Sequence, residues 1–140
     1  MKEDFVTYEQ ALALNKLGFR EECLYYYNRG GMLVSNYYDS SDGIYVENLY
    51  ISYNSRHKIT NKYDAPTLAQ AQKWLRKEKK LSVEPVSGDT DEHGWEYGLV
   101  NRNYEHPQFS FNNVTYSSYE EALSIGITEC LKLLDEIKND

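Results

Sequence analysis

The chain is short of the residues that cross-linked, metal-built or membrane-bound small proteins depend on. Its 140 residues include two cysteines, Cys23 and Cys130, and three histidines. The cysteines stand far apart and neither belongs to a C-x-x-C pair. A disulfide scaffold of this size would need more of them, so they read as small apolar side chains in a reducing compartment. No two of His57, His93, His106, Cys23 and Cys130 share a ligand-like spacing, which argues against a local transition-metal site. No apolar run approaches the roughly 18 residues of a membrane span. The opening MKEDFVTYEQ has no apolar core of a secretory signal. A soluble, cytoplasmic protein without a membrane partner is expected. Proline is scarce, at three residues, and no Pro/Gly/Ser-rich linker separates two halves. One domain over residues 1–140 is expected, long enough to bury a core.

Catalytic signatures are missing as well. There is no G-x-S-x-G elbow and no glycine-flanked cysteine. NRGG is not followed by a helix start, so it is neither a P-loop nor a dinucleotide fingerprint. Asp89, Asp91, His93 and Gly94 imitate the first half of a calcium loop. The position that must hold a bidentate glutamate is Val100, so the stretch reads as a polar turn. Glu84, Glu92 and Glu96 are the remaining acid–base candidates, and their spacing singles out no pair. No enzyme, cofactor or metal is expected.

Tyrosine and uneven charge are abundant. Fourteen tyrosines argue against disorder and for half-buried sheet faces. The net charge is −7, yet residues 56–80 hold Arg56, Lys58, Lys62, Lys73, Arg76, Lys77, Lys79 and Lys80 against only Asp64 and Glu78.

Three stretches repeat one grammar: VTYEQALALN, PTLAQAQKWL and SSYEEALSIG. Thr7 precedes Gln10, Thr67 precedes Gln70, and Ser118 precedes Glu121, each by three positions. That is the capping-box pattern and predicts three helix starts. Tyr8, Ala11 and Leu12 then correspond to Leu68, Ala71 and Gln72, and to Tyr119, Ala122 and Leu123, one apolar stripe per helix. Gly18 is placed to stop the first helix, with Phe19 folding back. The third stripe continues through Ile127, Cys130, Leu131, Leu134 and Ile137. Between the helices the period falls to two. ECLYYYNRGGMLVSNYY predicts a hairpin turning at NRGG, with a further strand in IYVENLYISYNS. LSVEPV, WEYGLVNRNY and FSFNNVTY predict a meander, with Pro107 at a break. The fold class is α+β: three helices packed on one face of a mostly antiparallel sheet, from a diverged helix-plus-hairpin repeat.

The blocks DFVTYEQALALNKLGF…ECLYYY, APTLAQAQKWLRKEKKLSVEP and YSSYEEALSIGITECLKLL resemble a family of small uncharacterised proteins common in phages and prophages of Bacteroides-type gut bacteria. The resemblance spans about half the chain. It implies a phage or mobile-element origin and carries no activity and no catalytic residue.

Aromatics and cations together supply the candidate surface. Tyr25, Tyr26 and Tyr27 alternate faces on one strand. Lys73, Lys77 and Lys80 share one helical face with Arg76 nearby. Lys73, Arg76, Lys77, Lys80, Tyr25 and Tyr27 are the residues expected to meet a partner. A protein partner is expected first, because tyrosine is enriched at wet interfaces. The alternative is a nucleic-acid-binding module joining the basic helix to the tyrosine strands, which the net charge disfavours.

Overall fold

The computed structural model describes residues 4–35, 62–87, 94–106 and 108–139. The strand expected in IYVENLYISYNS, Tyr37, Tyr38, Tyr45, Tyr50, Tyr53, Arg56, His57, Lys58, the calcium-like Asp89, Asp91 and His93, Glu92, and Pro107 lie outside the described residues. The elements in order are α1 Tyr8–Lys16, β1 Tyr25–Tyr27, β2 Leu33–Ser35, β3 Tyr63–Ala65, α2 Leu68–Glu78, β4 Leu81–Ser87, β5 Trp95–Asn101, β6 Gln108–Tyr116 and α3 Tyr119–Asn139. The class is α+β, with antiparallel strand pairing throughout the described sheets. The strands form two sheets, ordered β2-β1-β3 and β4-β5-β6. A single sheet carrying all three helices is therefore replaced by two. The β1–β2 hairpin recruits β3 from further along the chain, and β4, β5 and β6 pair in sequence order. The chain divides correspondingly into two compact units, Val6–Pro66 and Met1–Phe5 with Thr67–Asp140.

In the Val6–Pro66 unit, α1 is set by its own ends. Thr7 Oγ1 accepts from Gln10 N at 3.2 Å, and Gln10 Oε1 accepts from Thr7 N at 2.7 Å, closing the capping box. Such a cap contributes about 1 kcal/mol. The helix ends in a Schellman motif: Phe19 N donates to Leu14 O (3.0 Å) and Gly18 N to Asn15 O (3.1 Å). Gly18 takes φ 97°, where a Cβ would be strained. Gln10, Ala11 and Leu14 are buried, so the stripe continues from Ala11 to Leu14 one turn on, and Leu12 is only half-buried. The helix lies along β3. The three-residue β3 pairs with β1, Tyr25 opposite Ala65 and Tyr27 opposite Tyr63.

In the unit beginning at Thr67, Thr67 Oγ1 accepts from Gln70 N (3.1 Å) and opens α2. This helix buries Leu68, Ala71, Trp74 and Leu75. Gln72 is half-buried and its Nε2 donates to Val83 O on β4 at 2.7 Å. The third box closes one residue early. Ser118 Oγ accepts from Glu121 N (3.1 Å), but the Glu121 carboxylate accepts from Ser117 rather than from the cap amide. From there α3 buries Ala122, Leu123, Ile127, Cys130 and Leu131, while Ile137 is exposed. Fully buried side chains such as Leu75, Leu81 and Ile127 each contribute about 1.5–3 kcal/mol. At Gly126 α3 packs tightly on its sheet, against Val83 and Tyr97.

Candidate interaction surface

The tyrosine strand is not an open stacking platform. Tyr27 was expected at the surface and is instead buried at 5% exposure. Its hydroxyl donates to Val6 O at 2.6 Å, and its ring meets Tyr8 edge-on at 5.6 Å. Burial, with Glu9 adding to it, raises the Tyr27 hydroxyl above its ordinary pKa. The cause is the strand's alternation: the Tyr27 face looks toward α1. Tyr25 shares that parity and is half-buried. Tyr26 points the other way and carries Lys62 Nζ 4.1 Å above its ring centre. Desolvation lowers the Lys62 pKa.

Lys73, Arg76 and Lys77 are exposed on α2, and no ion pair among the described residues engages them. Lys80 does not share their helical face. The helix is capped at Lys79, whose ammonium lies 5.6 Å from the Trp74 ring centre. Lys80 then turns left-handed at φ 59°, the reversal usually made by glycine, and its carbonyl accepts from Arg102 N at 2.8 Å. The six expected residues thus fall in two sets, Tyr25 and Tyr27 in one unit and the four cations in the other.

The β4-β5-β6 sheet has two unlike faces. Gly126 lies against Val83 and Tyr97, and Trp95 meets Tyr119 edge-on at 5.3 Å, so the odd-numbered residues of β4 and β5 face α3. Leu81, Val83 and Tyr97 are buried there. The opposite face follows from the register: Ser82–Val100–Phe109, then Glu84–Gly98–Phe111, then Val86–Glu96. Phe109 and Phe111 are 66% and 63% exposed, and Val86 is 44% exposed. Phe111 leans over Gly98, where an added Cβ would lie 3.0 Å from Cε1. Glu84 is exposed and Glu96 half-buried, and no hydrogen bond or ion pair of the described residues engages either carboxylate. At the far end Arg102 Nε donates to Ser82 Oγ at 3.5 Å. The surface is therefore aromatic along β6 and acidic across β4 and β5. Phe109 and Phe111 lie outside the set of residues expected to meet a partner. The alternation of QFSF was visible, but not which face α3 would leave open.

The buried titratable groups are of another kind. Cys130 is fully buried, which pushes its thiol up to about 12. The Cys23 thiol is also pushed far up, by burial first and then by Asp64 and its neighbouring glutamates. Burial thereby disfavours the thiolate form of both at neutral pH. Asp64 is 5% exposed and its Oδ1 has no hydrogen-bond partner among the described residues. Burial raises it to about 6, with Arg20 opposing. No group of His, Cys, Asp and Glu among the described residues could hold a metal ion. No described helix is long and apolar enough to cross a membrane. No protein-family model, curated protein or solved structure matches the chain.

Proposed function

We propose that the chain is a non-enzymatic protein-interaction module of phage or prophage origin, acting in the cytoplasm of a bacterial host. The observation that carries this reading is the pair Phe109 and Phe111, side by side on one sheet face and each about two-thirds exposed. Adjacent exposed aromatics are costly in water and mark an interface that a partner dries. The resemblance of the three repeated blocks to phage-borne proteins supports the origin and the compartment. Nucleic acid is the second reading, favoured by the unpaired Lys73, Arg76 and Lys77. It ranks lower because the aromatic face carries Glu84 and Glu96, which repel phosphate, and because the whole chain is at −7.

The test uses Phe109→Ser together with Phe111→Ser. Both sites are exposed, so the double variant is expected to keep the wild-type circular dichroism spectrum. Tagged wild-type chain is expected to retain a discrete host protein from lysate that the double variant does not retain. Retention of the same protein by both would remove this face from the reading. A labelled single-stranded DNA and RNA pool is expected to stay unbound even at low salt. Tight, salt-sensitive binding lost in Lys73→Glu/Lys77→Glu would install the nucleic-acid reading instead.

A further inference from the structure

We infer that the exposed face of the β4-β5-β6 sheet takes a basic polypeptide segment, with an arginine or lysine stem laid on Phe111 and its cation at Glu84 or Glu96. The inference rests on the reading of this face as an interface and adds the partner's chemistry. It follows from the juxtaposition across the strands. Phe111, Gly98 and Glu84 stand in one row on three neighbouring strands. Adjacent strands are about 4.8 Å apart, so the aromatic ring and the carboxylate are roughly 10 Å apart at the backbone. Only a glycine lies between them, and the Phe111 ring already leans into that gap. A long cationic side chain fits such a row. Its methylenes cover the ring, the charge meets the ring's negative face, and the head reaches the carboxylate. Glu96 sits diagonally from Glu84, beside Val86 in the next row. Two carboxylates on one small area, neither engaged by a described cation, attract positive charge and repel negative charge.

The same charges decide against other occupants. Phosphate backbones and acidic peptides would face Glu84 and Glu96 directly. A second copy docked face to face about a two-fold axis near Glu84 and Glu96 would bring its own two carboxylates against them. A basic segment with apolar residues satisfies both halves of the surface, with its apolar side chains on Phe109 and Val86.

The experiment measures fluorescence anisotropy of a short fluorescein-labelled peptide of alternating arginine and valine, titrated with the full chain. A peptide of alternating glutamate and valine is the control. The arginine peptide is expected to bind and the glutamate peptide not to bind. Glu84→Gln and Glu96→Gln are each expected to weaken binding by roughly threefold, and together by about tenfold, with loss at high salt. Phe109→Ser/Phe111→Ser is expected to abolish binding. Equal binding of both peptides, or arginine-peptide binding indifferent to both glutamine variants, overturns the inference. So does the absence of binding. A dimer in sedimentation that the phenylalanine double variant dissolves overturns it in favour of self-association. The lysate experiment separates the two levels: a host protein held through Phe109 and Phe111 but unaffected by Glu84→Gln/Glu96→Gln leaves the interface standing and removes its basic partner.

Discussion

Gly126→Ala is expected to destabilise the protein by about 1–3 kcal/mol in urea unfolding, the cost of overpacking a core. On an open helix the same substitution would stabilise by about 1 kcal/mol, because alanine is the better helix former. Position 126 reverses the sign because α3 touches its sheet there. An added Cβ would fall inside contact with Val83 Cγ1 and 3.1 Å from Tyr97 Cδ2. Neither neighbour has room to retreat. Val83 is fully buried, and Tyr97 is buried with its ring stacked on Tyr116 at 6.0 Å between centres. A double-mutant cycle locates the conflict. Val83→Ala alone opens a cavity and destabilises; joined to Gly126→Ala it makes room for the new methyl. The two costs are expected to sum to more than the double variant shows. Strict additivity would mean that the helix and the strand do not meet at this point.

Asp64→Asn is expected to stabilise the protein at pH 7 and to leave it nearly unchanged near pH 4. Burial lifts the folded-state pKa from 3.8 to about 6 against the partial opposition of Arg20. Below the unfolded-state pKa the acid is protonated in both states and costs nothing. Between the two values the unfolded chain releases its proton first, so stability falls as pH rises. Above about 6 the full cost is present, on the order of 2–3 kcal/mol for a shift of this size. The unpartnered Oδ1 is the structural counterpart of that cost. Asparagine matches the neutral acid in shape and cannot ionise. Its unfolding free energy is therefore expected to lack the decline between pH 4 and 6.5 that the wild type shows. Parallel pH profiles for the two proteins would show that Asp64 titrates as a solvated carboxyl.

What was legible in the residues was mostly local chemistry. Thr7, Thr67 and Ser118 each cap a helix by bonding to a backbone amide three residues on, so four residues suffice to announce a start. Gly18 announces a stop for the same reason. The hairpin around NRGG and the three long strands follow from turn residues and alternation. Three features were not legible. The three-residue β3 is too short for a period, and it exists because β1 offers it a partner across a long stretch of chain. Lys80 looked like one more helical lysine, yet the helix closes at Lys79 and a left-handed lysine makes the reversal. The third concerns sheet faces. Alternation tells which residues share a face; the packing of α1 and α3 decides which face is dry. That placed Tyr27 inside, against the expectation from the strand's aromatics, and left Phe109 and Phe111 outside, where no expectation stood.

The two strand orders also differ in the reach of chain that each must close. In β4-β5-β6 each strand pairs with the next along the chain. The order β2-β1-β3 instead joins Tyr63 to Tyr27, a pairing between residues far apart in sequence. Closing the longer loop costs more chain entropy before any contact repays it, and contacts between distant residues slow folding. On refolding, pulse-labelled hydrogen exchange is expected to protect the β5 amides before those of β3. Simultaneous protection would mean that a single nucleus commits the whole chain.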